Sequence, residues 1–383
     1  MWPPGILVLL AVFATALAMC IGLVLTQRWH GKLTLDHDLN GIQKIHQRPV
    51  PRIGGVALLA ALSIGGLGAW LTGESATVQI LLVVVCSLPA FLAGLIEDLT
   101  KRVGVRTRLY ASFTSAALAI WLLDASLTRL DTPGLNSLIA FTPVSVLFTC
   151  FAVGGLTNAV NIIDGINGLA AGSVMLMLAG LGALAWFHND ILILELCMLG
   201  IAGLAGFLVL NYPSGRIFLG DGGAYLAGFW LAECAVLLLA RNPNVSTWAV
   251  LLVCFYPVCE TGFSIFRRHV IRRTSSGEAD QTHLHHVLLH WLRATKPQGQ
   301  GPRASWRSHA LASLLLWIMV MSCQAVMVMA YPSNSLMAAG VLGFGVAYIW
   351  LYWLASQKIT SPHAMGQIRT PGKSETQPTG IWR

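Results

Sequence analysis

The sequence predicts an all-α integral membrane protein with about eleven transmembrane helices. Of its 383 residues, 55% are hydrophobic and only 10% are charged, whereas a soluble domain carries about 25% charged residues. The apolar residues form segments close to the ~20 residues that a helix needs to span a bilayer. The basic residues fall in alternate connections between these segments, which is the pattern that sets the orientation of membrane proteins.

The apolar segments divide the chain into one transmembrane domain and a tail. We expect residues 1–360 to form the domain, and residues 361–383, rich in Pro, Gly, Thr and Gln, to be a disordered cytoplasmic tail. No basic n-region precedes the first segment, so we expect a retained helix instead of a cleaved signal peptide. The predicted spans are 5–25, 54–72, 78–96, 108–123, 137–156, 168–187, 191–210, 223–240, 245–266, 309–331 and 335–355.

The basic residues predict a periplasmic N-terminus and a cytoplasmic C-terminus. In this orientation only Arg129 and Arg241, of the 24 Lys and Arg residues, face outward, as the positive-inside rule requires. The inward-facing loops are also the longer and more polar ones, so we expect the chemistry on the cytoplasmic face. The net charge of +8 belongs to that face and would attract anionic lipids or phosphates, so nucleic-acid binding need not be invoked.

The polar stretch 157–172, TNAVNIIDGINGLAAG, interrupts two apolar segments. Its Asn158, Asn161 and Asp164 are costly to desolvate, so they are expected to face water, an ion or a ligand. Its glycines let a backbone turn approach a ligand closely. The alternative is that Asp164 only caps the helix that follows.

Two further acidic positions lie at the same predicted depth. Glu97 and Asp98 are adjacent at the end of the third span and repel one another unless a cation or a base offsets them. A helical ion pair with Lys101 is the simpler interpretation. Asp221 lies in a glycine turn with no basic residue within four positions, so we expect a cation to offset its charge, although Asp221 could also cap a helix.

Basic and histidine-rich segments complete the predicted face. The stretch 44–55 carries Lys44 and Arg52 and ends in two glycines, which would let a phosphate reach helix amides; a juxtamembrane anchor is the alternative. The longest inner loop holds His283, His285 and His286. Zinc is disfavoured because no cysteine lies nearby. The neighbouring arginines favour a phosphate or nucleotide role over an incidental amphipathic segment; they are Arg267, Arg268, Arg272 and Arg273.

Carboxylates without thiols favour Mg²⁺, or Mn²⁺, especially when a diphosphate supplies the remaining ligands. Together with bases that bind phosphate, they indicate metal-assisted phosphoryl transfer. The rival is a secondary transporter, which needs ionisable residues at mid-membrane. Only Glu195, Glu233 and Glu260 lie well inside apolar segments, so we favour an enzyme.

These motifs resemble those of the bacterial polyprenyl-phosphate N-acetylhexosamine-1-phosphate transferases. Segment 48–55 is similar to the family's Pro-rich Gly-Gly motif, 94–98 to its acidic pair, 158–169 to NxxNxxDGxxGL and 218–223 to FxGDxG. The HxHH pattern at 283–286 resembles the branch that uses simple UDP-N-acetylhexosamines, since the peptidoglycan branch has an uninterrupted histidine run. One departure is Glu97, where the family commonly has aspartate.

The resemblance implies transfer of a HexNAc-1-phosphate from a UDP-N-acetylhexosamine to undecaprenyl phosphate, with Mg²⁺ and release of UMP. It implies a multi-pass protein of the bacterial inner membrane with a cytoplasmic active site. The product would initiate a lipid-linked glycan such as the O antigen of lipopolysaccharide; synthesis of peptidoglycan lipid I is the alternative. The partners are the two substrates and the bilayer, with a homodimer as an option. GlcNAc, GalNAc and deoxy or amino derivatives all fit these motifs.

Residue roles follow from the resemblance by position. Asp221 would be the direct metal ligand, supported by Asp98. Glu97, Asp98 and Asp164 would be catalytic, with Glu97 facing the lipid phosphate in a single displacement; a covalent aspartyl-phosphate route stays open. The substrate-binding residues would be Lys44, Arg52, Lys101, Asn158, Asn161, His283, His285 and His286.

Overall fold

The computed structural model describes residues 5–35, 49–73, 77–272, 282–295 and 302–359. Lys44, Arg48 and the tail 361–383 lie outside these ranges. The described residues are helical with no β-strand, apart from one isolated bridge between Leu35 and Pro51, so the predicted all-α class is confirmed. The helices are α1 Ile6–Leu25, α2 Gln27–Thr34, α3 Gly54–Leu71, α4 Thr77–Thr100, α5 Val105–Leu123, α6 Asn136–Ile139, α7 Thr142–Ile163, α8 Leu169–Phe187, α9 Ile191–Asn211, α10 Gly220–Arg241, α11 Thr247–Val253, α12 Phe255–Phe266, α13 Leu284–Thr295, α14 Pro302–Ala330 and α15 Asn334–Ile359.

Nine helices in the described ranges are long and apolar enough to cross a membrane, and α11 with α12 makes a tenth span bent by 77°. Each of the eleven predicted spans corresponds to one of these helices, to the bent pair or to α5. Helix α5 is less apolar than the others because Arg106 and Arg108 lie in its first turn. The multi-pass architecture itself is confirmed.

Helix α10 forms the centre of the bundle. It packs against α3, α4, α7, α8 and α9, and every residue in 222–238 is buried. The indole of Trp230 donates a hydrogen bond to the carbonyl of Leu196 at 2.9 Å, which ties α10 to α9. Because neighbours surround α10 on all sides, the position of its first turn, which carries Asp221, is fixed.

The start of α3 meets the segment before α10 backbone to backbone. The amides of Gly54 and Gly55 donate to the carbonyls of Phe218 and Leu219, both at 2.9 Å. A Cβ on Gly55 would collide with the backbone of Gly223. Only glycine permits this approach, which brings the Pro-rich motif and the glycine turn of Asp221 together.

Helix α4 approaches α10 in the same way. A Cβ on Gly94 would lie 2.5 Å from the backbone nitrogen of Gly222. Asp98, one turn further along the same face of α4, accepts a hydrogen bond from that nitrogen at 3.0 Å. The glycine allows the contact and the carboxylate then caps the first turn of α10.

Candidate active site

A polar cavity of about 390 Å³ opens where these helix ends meet. Its walls carry two carboxylates, two guanidinium groups, two imidazoles and several carboxamides, contributed by separate parts of the chain. The lining residues are Arg52, Arg108, Asn161, Ile162, Asp164, Gly165, Ile166, Asn167, Asn211, Phe218, Gly220, Asp221, His283 and His286. Four of the five predicted motifs therefore contribute to this lining.

Asp221 is paired with two arginines from distant parts of the sequence. Arg108 of α5 donates to its Oδ2, and Arg52 lies 3.5 Å from its Oδ1. The amide of Asn161 donates to Oδ1 at 3.2 Å. The expectation that Asp221 needs a metal cation to offset its charge considered only its neighbours in sequence, and it was wrong because two arginines already pair with this carboxylate. Arg108 had been counted only as a loop charge.

The two side chains of the acidic pair point in different directions, and Glu97 is not the one directed toward α10. Asp98 is buried against α10, and its Oδ1 lies 3.8 Å from Arg52. Glu97 turns away and accepts a hydrogen bond from the amide of Val103 at 2.7 Å, which holds the α4–α5 loop. Glu97 therefore does not face the cavity, because consecutive helix positions diverge by about 100°. Lys101 is exposed and does not line the cavity either.

Asp164 follows the last residue of α7 and opens onto the cavity. It does not cap α8, whose N-cap is Gly168. Among the described residues its carboxylate has no hydrogen bond or ion pair. Burial is the main cause that raises the pKa of Asp164 to about 7; the charge of Arg52 lowers this pKa, while nearby Asp221 and Asp98 contribute to the rise. Asp164 is therefore suited to exchange a proton near neutral pH.

Besides Lys101, two more predicted substrate-binding residues lie outside the cavity lining. Asn158 donates to the carbonyl of Gly154 at 2.7 Å and accepts from the hydroxyl of Tyr225 at 3.3 Å, so it packs α7 against α10. His285 is fully buried against Gly165, where any Cβ would collide with its ring. Burial and its histidine neighbours lower the pKa of His285 well below its usual value, so the ring is neutral.

His283 and His286 line the cavity as expected. Glu260 of α12, which the sequence analysis considered only as an acid inside an apolar segment, holds His283 in place: it accepts from Nδ1 of His283 at 3.0 Å. Arg267, the first residue of the predicted arginine cluster, does not face the cavity, and Arg273 lies outside the described residues. Arg267 is buried and donates to the carbonyl of Thr282 at 2.7 Å and to the hydroxyl of Tyr352 at 3.0 Å, so it anchors this segment instead of facing a ligand.

Three further residues line the cavity, although the sequence analysis gave them no role in the site. Asn211 receives the amide hydrogen of Gly168 at 2.6 Å and stabilises the turn before α8. Asn167 donates to Pro213 at 2.9 Å, while its buried Oδ1 has no hydrogen-bond partner within the described part of the chain. Phe218 adds an aromatic ring to the wall. Their place in the polar motifs was the available signal, but the sequence does not separate ligand-facing from turn-forming amides.

An apolar groove of about 530 Å³ lies beside the polar cavity, between α7, α10 and the bent α11–α12 pair. Helix α7 contributes to both, since Ala159 lines the groove and Ile162, one turn further, lines the cavity. Other groove residues are Phe148, Phe151, Leu156, Val236, Leu251 and Val258. The combined shape suits a ligand with a charged head and a long apolar tail.

The carboxylates fit a hard divalent cation that takes some of its ligands from the protein and the rest from a substrate. Within the described ranges, no three His, Cys, Asp or Glu side chains converge on one point, as a closed zinc site would need. Asp221, Asp164 and the carboxamide of Asn161 nevertheless offer oxygen donors around one cavity. Mg²⁺ commonly takes one or two carboxylates and completes its shell with waters and substrate phosphates.

The sequence is similar to those of known proteins. A family model described as glycosyl transferase family 4 matches residues 80–239, which include Asp98, Asp164 and Asp221. The chain is therefore similar to this family over that segment. The matched segment spans α4 to α10 and ends before Glu260 and the histidines.

The relatives of the chain carry two kinds of name. A probable undecaprenyl-phosphate N-acetylglucosaminyl 1-phosphate transferase of Bacillus subtilis is 26% identical over 64% of this chain and 68% of its own length. An undecaprenyl-phosphate alpha-N-acetylglucosaminyl 1-phosphate transferase of Thermotoga maritima is 28% identical over 64% and 70%. A phospho-N-acetylmuramoyl-pentapeptide-transferase of Lactobacillus helveticus is 28% identical over 65% and 79%. These relatives are phospho-sugar transferases.

Proposed function

We propose that the protein transfers HexNAc-1-phosphate from a UDP-N-acetylhexosamine to undecaprenyl phosphate, giving undecaprenyl-diphospho-HexNAc and UMP. The observation that carries this proposal is a cavity of carboxylates, arginines and histidines placed directly beside an apolar groove. Such a pair of sites matches one soluble anionic substrate and one lipid phosphate. The names of the relatives support the same reaction class.

The polar cavity provides for each part of the nucleotide sugar. Phe218 offers a ring on which uracil could stack, and the unpaired Oδ1 of Asn167 can accept from the N3–H of the base. Arg52, Arg108 and His283 supply donors to the diphosphate. The lipid phosphate would enter from the groove along α7, with its isoprenoid chain against the apolar wall.

The chain's own residues can carry a single displacement. Asp164 accepts the proton from the lipid phosphate, whose second pKa of about 6 is close to that of this carboxyl. A phosphate oxygen then attacks the β-phosphorus of the donor, and the bond to the bridging oxygen breaks, so that UMP leaves with that oxygen. Arg52 and Arg108 neutralise charge on the transferring group. Mg²⁺ or Mn²⁺, held by Asp221 with Asn161, would supply further positive charge beside the leaving phosphate. Asp98 acts by positioning α10.

We place the protein in the bacterial inner membrane with this cavity facing the cytoplasm, because cytosolic UDP-sugars reach it there and all but two basic residues lie on that side. The product would initiate a surface glycan such as the O antigen. Synthesis of lipid I is the second candidate, since a pentapeptide-transferase is among the relatives.

The deciding experiment measures UMP release by purified protein from a panel of UDP-sugars with undecaprenyl phosphate. We expect turnover with a simple UDP-HexNAc and none with UDP-MurNAc-pentapeptide. Turnover with the pentapeptide alone would establish the second candidate. No UMP from any donor would contradict the proposed reaction.

A further inference from the structure

Glu260 and His283 form a buried acid–base pair at the wall of the cavity. Glu260 is fully buried in α12, and its Oε1 accepts from Nδ1 of His283 at 3.0 Å. Its two oxygens also accept from the amide of Leu284, at 3.2 and 3.3 Å. Among the described residues, His283 is the only basic side chain within ion-pair distance of this carboxylate.

This geometry fixes the tautomer of His283. A carboxylate only accepts hydrogen bonds, so Nδ1 must carry a hydrogen, and Nε2 of the neutral ring is then an acceptor. Since Nδ1 is used by Glu260, Nε2 is the nitrogen left for a ligand in the cavity. Phosphate oxygens are acceptors as well. The neutral ring therefore presents a lone pair to a ligand that needs a donor.

We propose that donor binding is coupled to the uptake of a proton by Nε2 of His283, with Glu260 as the positioning residue that supplies the countercharge. This inference rests on the proposed function and deepens it. In the free protein, the charges of Arg52 and Arg108 are paired with Asp221, and the ring of His283 bonds to one anion, Glu260. A bound diphosphate supplies a second anion at Nε2, and the imidazolium then lies between the two.

The remaining charged and titratable neighbours do not replace this arrangement. The rings of His285 and His286 lie with their centroids 5.6 and 6.3 Å from that of His283. Asp164 and Asp221 line the same cavity without a hydrogen bond to the ring. Tyr256, Tyr348 and Cys259 also lie near Glu260. None of these side chains carries a positive charge that could offset the charge of Glu260.

Isothermal titration of UDP-GlcNAc into the full-length protein, without undecaprenyl phosphate, tests the inference. Runs at one pH in buffers of different ionisation enthalpy give the protons taken up per ligand bound. We expect wild type to approach one proton near pH 8. In Glu260→Gln the uptake should vanish and the affinity should fall about 10- to 100-fold, as for loss of a charged hydrogen bond. His283→Gln should lose the same proton.

Two variants separate this role from a structural one. Glu260→Asp keeps the charge and should retain part of the uptake, so it carries the test if Glu260→Gln does not fold. Glu195→Gln removes another buried carboxylate, in α9 and outside the cavity, and should leave uptake unchanged. Wild-type binding without proton uptake, or uptake that survives Glu260→Gln, overturns the inference and leaves the reaction standing. If wild type binds no UDP-HexNAc, the proposed function fails with it.

Discussion

Replacing Asp164 with asparagine tests whether this carboxylate accepts the proton of the lipid phosphate. Its pKa of about 7 means that it is half ionised at neutral pH and about one-tenth ionised at pH 6. The kcat of wild type should therefore fall about tenfold per pH unit below pH 7. A positioned general base contributes about 10²- to 10⁴-fold, so we expect Asp164→Asn to lose at least about 100-fold in kcat at pH 7.

The shape of the pH profile distinguishes a base from a structural residue. In Asp164→Asn, the rate should rise with pH between 5.5 and 7 and then level off, because solvent ionises the lipid phosphate, with its second pKa of about 6, without help from the side chain. The assay is UMP release at saturating UDP-HexNAc and undecaprenyl phosphate from pH 5.5 to 9. Asp124→Asn, a carboxylate outside the cavity, is the matched control. An Asp164→Asn variant with wild-type kcat, or with the same loss at every pH, would refute the assignment.

Three other variants test how the site is built. Glu97→Gln should stay within about threefold of wild type, while Asp98→Asn should lose about 10- to 100-fold in kcat, because only Asp98 bonds to α10; equal losses would return Glu97 to the site. Gly94→Ala should lower the melting temperature and abolish transfer through overpacking of about 1–3 kcal/mol, whereas Gly343→Ala in α15, with no atom within 4 Å of a new Cβ, should be neutral in both measurements. Chelation by EDTA should stop UMP release, and added Mg²⁺ should restore it. Asp221→Asn should raise the Mg²⁺ concentration that gives the half-maximal rate at least about tenfold. An unchanged Mg²⁺ requirement in this variant would remove Asp221 from the metal site.

The helical class and most span boundaries could be predicted because they depend on local composition. Continuous apolar runs define α8, α9 and α10 to within three residues at each end, since lipid and core both require them. Helix α5 is different: its apolar length was visible in the sequence, but the role of Arg108, which lines the cavity from its first turn, was not. Local composition does not report such a long-range partner.

The candidate site was predictable where residue type alone limits the role. Asp164, Asp221, His283 and His286 were expected at a common site and line one cavity. Glu97 and Asp98 could not be separated, because the direction of each side chain depends on where α10 packs against α4. The same limit applies to Arg108 and Glu260, whose partners lie more than 20 positions away in sequence.

The backbone contact between α3 and the segment before α10 has a consequence for biosynthesis. The amides of Gly54 and Gly55 bond to carbonyls made more than 160 residues later, which corresponds to roughly 10 to 30 s of translation at 5–20 residues per second. During that interval α3 is already in the bilayer with these donors unpaired. A ribosome-bound chain that ends before Phe218 cannot contain the cavity in any form. The nascent protein should therefore depend on the insertion machinery to shelter α3 until α10 arrives.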